Sequence, residues 1–120
     1  MRAKLCNISF EPDPRTLPAD PAEFCFQAVL FVGEDGGRPG GEMIYTTVCS
    51  AEWLVARAQS EGIVEGAWHV VVDFNAYSEE RLTDWFAKRV NQIAGRDWNE
   101  IGQLFGRLGQ WEFEGYQSNP

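Results

Sequence analysis

The chain has 120 residues, 44% hydrophobic and 13% aromatic, with 18 acidic against 10 basic side chains and a formal net charge of −8. That is enough apolar material for one core without disulfide or metal staples, and too much for a disordered chain. The acidic balance serves solubility in any case. It also repels phosphate backbones and anionic lipid surfaces, which disfavours nucleic-acid and membrane binding and favours a basic partner.

RAKLCNIS, residues 2–9, sets Ala3, Leu5 and Asn7 against Lys4, Cys6 and Ile8 and reads as a first strand. EPDPRTLPADPA, residues 11–22, holds four of the six prolines. Proline excludes helix and central strand, so this is an acidic surface loop. FCFQAVLFVG, residues 24–33, is apolar at both parities, as a strand covered on both faces would be. A glycine-rich hairpin loop spans 33–41, and EMIYTTVC, residues 42–49, is rich in β-branched residues.

SAEWLVARAQSEG follows as a helix, with Ser50 as N-cap and Gly62 as C-cap. AWHVVVDF, residues 67–74, is the next strand. SEERLTDWFAKRVNQIAG, residues 78–95, is a second helix with Leu82, Trp85, Phe86, Arg89, Val90 and Ile93 at helical spacing and Gly95 as its stop. DWNEIGQLFGRLG opens on Asp97 and Glu100, resembling a capping box, and carries the stripe Trp98, Ile101, Leu104, Phe105 and Leu108. QWEFEGY closes the domain as a last strand, and residues 117–120 read as a flexible tail. The expectation is one α+β domain over 1–120. It has a mainly antiparallel sheet of about five strands in the order β-β-β-α-β-α-α-β, with three helices packed mostly on one face. The core is expected at Phe24, Phe26, Leu30, Val32, Trp68, Val70, Val72, Leu82, Phe86, Ile101, Leu104 and Phe105.

Catalytic chemistry finds little support. The single histidine, His69, lies on a strand with Asp73 ~13 Å farther along, too far for a triad. It is expected to point away from the Trp68, Val70, Val72 and Phe74 side. Cys6, Cys25 and Cys49 lack metal-ligand or CxxC spacing and read as free thiols in a reducing compartment. The opening MRAKLCNISFEPD has no apolar segment of the kind a signal peptide needs, and no apolar run reaches ~18 residues. The glycine runs match no phosphate-binding loop. Glu112 and Glu114 are the best carboxylate pair, on one strand face ~7 Å apart, within the range of glycosidase pairs. That is also the spacing of any i, i+2 pair. The simpler expectation is that Trp111 and Phe113 face the core while Glu112 and Glu114 face solvent. Neither a catalytic residue, a cofactor site nor a metal site is assigned.

Three segments carry a resemblance: VCSAEWL (48–54), GAWHVVVDFN (66–75) and DWNEIGQLFGRLGQWEFEGY (97–116). Together they resemble the immunity protein 8 family of bacterial polymorphic toxin systems, over about residues 2 to 116. The third segment is the most specific. The family pattern has a small polar residue where Gly106 stands and an acid where Gly115 stands. The resemblance implies a non-catalytic cytoplasmic protein that binds and neutralises the toxic domain made beside it. A basic nuclease would suit the acidic charge. Glu112, Glu114 and Tyr116 are the candidate partner-binding residues. Two other readings stay open at this point: a small hydrolase using Glu112 and Glu114, and a general protein-interaction module.

Overall fold

The computed structural model describes residues 1–11, 23–37, 41–64, 69–73 and 78–111. In chain order these give β1 (Ala3–Glu11), β2 (Cys25–Glu34), β3 (Glu42–Ser50), α1 (Ala51–Glu61), β4 (His69–Val72), α2 (Glu79–Asn91), α3 (Trp98–Leu104) and β5 (Gln110–Trp111). A 3-10 turn at Phe105–Arg107 follows α3. The class is α+β, in the order expected.

β1, β2 and β3 form an antiparallel meander, with β2 and β3 paired from Cys25↔Cys49 to Val32↔Glu42. The free side of β3 is shared. β4 runs parallel to it along Thr47–Ser50, and β5 runs antiparallel along Ile44 and Tyr45. Five strands therefore occupy four positions in a mixed sheet. The parallel β3–β4 pair exists because a helix, α1, spans the connection, as a parallel crossover requires.

Strand parity decides what is buried. Phe26, Ala28, Leu30 and Val32 of β2 and Ile44 and Val48 of β3 point to one face and meet Leu82, Phe86 and Val90 of α2, with Ile101, Phe105 and Leu108 beyond. Val70, Val72 and Leu104 pack against this cluster partly buried. Trp68 lies outside the described residues. The i, i+4, i+8 spacing of Leu82, Phe86 and Val90 makes α2 one apolar line.

The structure corrects the sequence expectations at three places. Ile8 joins the core side, although Lys4 and Cys6 share its parity, because the register shifts between Leu5 and Asn7. A bulge at Cys6 adds one residue, and every later side chain changes face. α2 ends at Asn91 rather than at Gly95. Ile93 and Ala94 instead meet the start of β1, with Ala3 N donating to Ile93 O at 2.9 Å and Gly95 N to Met1 O at 3.0 Å. Tertiary pairing here outweighs helical propensity. Trp85, assigned to the apolar stripe, is 42% exposed.

α1 lies on the opposite face from α2 and α3. Trp53 stacks on His69 at 6.2 Å between ring centroids, and none of its residues is buried. Ser50 joins this helix to the sheet. Its Oγ accepts from Trp53 N as N-cap and from Phe24 N at the start of β2, both at 3.2 Å. Ser50→Ala leaves two N–H groups without that acceptor, one of them buried. We expect a loss of about 1–3 kcal/mol, read as a lower midpoint in urea with an unchanged slope.

Candidate functional site

Glu112, Glu114 and Tyr116, the sequence candidates for partner binding, lie outside the described residues, as do Phe113 and the side chain of Trp111. What is placed is the backbone leading to them. Ile44 pairs with Trp111 and Tyr45 with Gln110. The carboxylate pair therefore follows directly on a strand anchored to the middle of the sheet.

His69 is where parity put it, away from the core and against Trp53. Its Nδ1 is buried without a hydrogen-bond partner, so no carboxylate orients the ring as a general base would require. The cysteines are free, and Cys6 is exposed on its bulge. Cys25 and Cys49 stand directly opposite each other across β2 and β3. Ser50 N donates to Phe24 O at 3.0 Å, which makes the next pair, Cys25 and Cys49, the close, non-hydrogen-bonded kind. Sequence reading placed the two thiols in separate strands and could not see them as neighbours, because that needs the hairpin register.

This pair is built to be inert. Burial pushes the Cys49 thiol up to about 11, with the nearby Cys25 adding to the rise. Burial also raises Cys25, partly offset by the Arg57 guanidinium. A nucleophilic cysteine needs the opposite shift. We expect a thiol reagent at neutral pH to label Cys6 first and Cys49 last, as read by mass spectrometry over time. Loss of two thiols on standing in air would show that the facing pair had closed into a disulfide. Because both folded-state values lie above the unfolded value of 9.0, the unfolded chain gives up these protons first. The stabilisation from the protonated thiols is complete below about pH 9 and declines as pH rises toward 11.

Charge is distributed along the strands. Glu11 ends β1, Glu23 precedes β2, Glu52 opens α1, Asp73 follows β4, and Glu79 and Glu80 open α2, all exposed. The registers place Glu11, Glu23, Glu52 and Asp73 at one end of the sheet, and the groove shared by Asp73 and Ser78 brings the start of α2, with Glu79 and Glu80, to the same end. The other end is mixed: Arg2, Lys4, Lys88, Arg89 and Arg107 lie there with Glu34, Asp35 and Glu42, and Arg2 donates to Asn91 O and Arg89 to Arg107 O. The helix dipoles favour this arrangement, since α1 and α2 both start at the acidic end.

A groove of about 320 Å³ opens at that acidic end, lined by Val70, Val71, Val72, Asp73, Ser78, Arg81, Leu82 and Trp85. It separates α2 from β4, the last strand of the sheet. No described group of three or more His, Cys, Asp or Glu could hold a metal ion. No described helix is long and apolar enough to cross a membrane.

The sequence profile of the family described as Immunity protein 8 matches residues 4–116. No curated protein and no solved structure matches the chain. With the match running from the second residue of β1 past the end of β5, the chain belongs to the immunity protein 8 family.

Proposed function

We propose that this chain is a cytoplasmic immunity protein that neutralises one cognate toxin domain of a polymorphic toxin system by stoichiometric binding, without catalysis. The observation that carries this reading is the family match over residues 4–116. The acidic end adds a direction. A net charge of −8 with carboxylates concentrated at one end attracts and orients a basic partner. A nuclease is such a partner, because it must carry cations where it holds phosphates. Covering those cations would exclude the nucleic acid.

The test is co-expression. The C-terminal domain of the toxin encoded beside this chain should arrest growth alone and lose that effect when this chain is present. Persistent arrest with both proteins well expressed would end the reading.

Glu112, Glu114 and Tyr116 belong to the proposed contact, with the two carboxylates steering association. Glu112→Lys with Glu114→Lys is expected to slow association with a basic toxin domain and flatten its dependence on ionic strength. The thermal midpoint should move little, since exposed substitutions cost less than ~0.5 kcal/mol. An unchanged rate at an unchanged midpoint would leave these residues as plain solvated groups. A collapsed midpoint would mean that their carboxylates are buried.

A further inference from the structure

We propose that the groove between β4 and α2 grips the toxin, with the outer edge of β4 receiving an extended cationic segment of the toxin as an added strand. This rests on the immunity reading and goes beyond it by naming the surface and the mode of contact.

The first observation is the edge itself. All four residues of β4 pair with β3 on one side. Among the described residues no strand pairs with the other side. Alternate residues of a strand aim N–H and C=O away from their paired neighbour, so this side presents ready hydrogen-bonding groups. Natural edges are guarded with lysine, proline or bulges. His69–Val72 reads HVVV and carries none of these. Its composition favours pairing.

The second observation is the apolar surface beside that edge. Trp85 is 42% exposed and lines the groove on the α2 face of the sheet. Val71 is 50% exposed and pairs with Cys49, so its side chain flanks the same edge on the face that carries His69 and α1. Trp85 packs edge-on against the buried Phe86 at 5.1 Å and holds Arg89 over its ring at 5.2 Å. The indole is thus held in place before any partner arrives, which reduces the ordering cost of binding. Tryptophan is also the residue type most often found at the energetic centre of an interface.

The third observation selects the occupant. Asp73 lines the groove, Glu79 and Glu80 open the adjoining helix, and Asp84 precedes Trp85, against Arg81 in the groove. Asp73, Glu79, Glu80 and Asp84 against Arg81 leave this neighbourhood net negative, and unlike charges steer association. A cationic strand would meet these carboxylates favourably. Strand addition supplies main-chain hydrogen bonds, and pockets beside the edge read alternate side chains. Here Trp85 would take an apolar residue of the added strand on the groove side, Val71 its neighbour on the opposite side, and the carboxylates the basic residues flanking them.

The experiment compares wild type, Val71→Lys, Trp85→Ala and Val55→Lys for binding to the inactivated toxin domain encoded beside this chain. Val55 is 56% exposed on α1, away from the groove, and serves as the control. Val71→Lys and Trp85→Ala should each weaken binding by about tenfold or more, mainly through faster dissociation, while Val55→Lys binds as wild type does. Hydrogen exchange on the wild-type protein gives a readout without substitution: amides of Val70, Val71 and Val72 should gain protection in the complex. Wild-type affinity in both Val71→Lys and Trp85→Ala, or protection confined to other elements, overturns the groove and edge while leaving the immunity reading in place. If wild type itself neither binds nor rescues growth, the immunity reading falls and the groove falls with it. A wild-type dimer that Val71→Lys makes monomeric would assign the edge to a second copy and overturn the cationic occupant.

Discussion

Phe86→Ala is expected to be the most damaging single truncation in the described core, costing about 3–5 kcal/mol and lowering the thermal midpoint by on the order of 10–20 °C. Phe86 is fully buried at the centre of the α2 line, between Leu82 and Val90. It faces a sheet surface built from Phe26, Leu30, Ile44 and Val48. Removing the ring leaves a cavity that backbone held by three antiparallel ladders cannot close. The neighbouring Trp85, half outside already, is a useful contrast. Trp85→Ala should cost far less stability, because much of its surface never left water. A thermal melt of both variants decides the matter. A midpoint for Phe86→Ala near that of wild type would mean that α2 buries a different face.

Gly109→Ala is the second large effect, and its cause is space. Gly109 is buried between the 3-10 turn and β5 and has no left-handed backbone requirement. A methyl group there would run into the carbonyl oxygen of Tyr45 and approach Thr46 Cβ to 3.0 Å. Tyr45 belongs to β3, the strand paired on both sides, and also pairs with Gln110. Its backbone cannot retreat without giving up ladder bonds. We expect a cost of about 1–3 kcal/mol, borne first by β5, so the Gln110 amide should exchange faster in Gly109→Ala than in wild type. In the proposed contact the effect would reach binding, because β5 leads in sequence to Glu112 and Glu114. A variant that folds as wild type does and keeps that amide protected would show that the close approach is relieved by some other shift.

The fold was largely legible because its elements carry strong local signals. Ser50, Gly62 and Asp97 act at the helix ends as their residue types demand. Glu100 did not complete the capping box that its spacing suggested; its carboxylate pairs with Arg96 at 3.1 Å instead. The apolar parity of β2 identified Phe26, Leu30 and Val32 as core. What stayed hidden needed information from elsewhere in the chain. The bulge at Cys6 is set by pairing with β2, and the early end of α2 by pairing with β1. The facing of Cys25 and Cys49 follows from hairpin register, and the exposure of Trp85 from where α2 crosses the sheet.

The candidate surface was legible only as a charge total. Net charge pointed to a basic partner, but the gathering of Glu11, Glu23, Glu52, Asp73, Glu79 and Glu80 at one end depends on strand direction and on where α2 starts. The open edge of β4 depends on strand order. HVVV by itself reads equally well as an interior strand, which is why the sequence drew attention to Glu112 and Glu114 rather than to Val71.

The central claim is stoichiometric neutralisation. Its most direct test is a calorimetric titration of the purified, inactivated toxin domain encoded beside this chain with the full 120-residue protein, with the intact mass of the toxin measured before and after. The account predicts saturation at one immunity protein per toxin domain, an affinity that weakens as salt is raised, and a toxin mass that does not change. Absence of binding, or a toxin covalently altered by substoichiometric amounts of this protein, would contradict it.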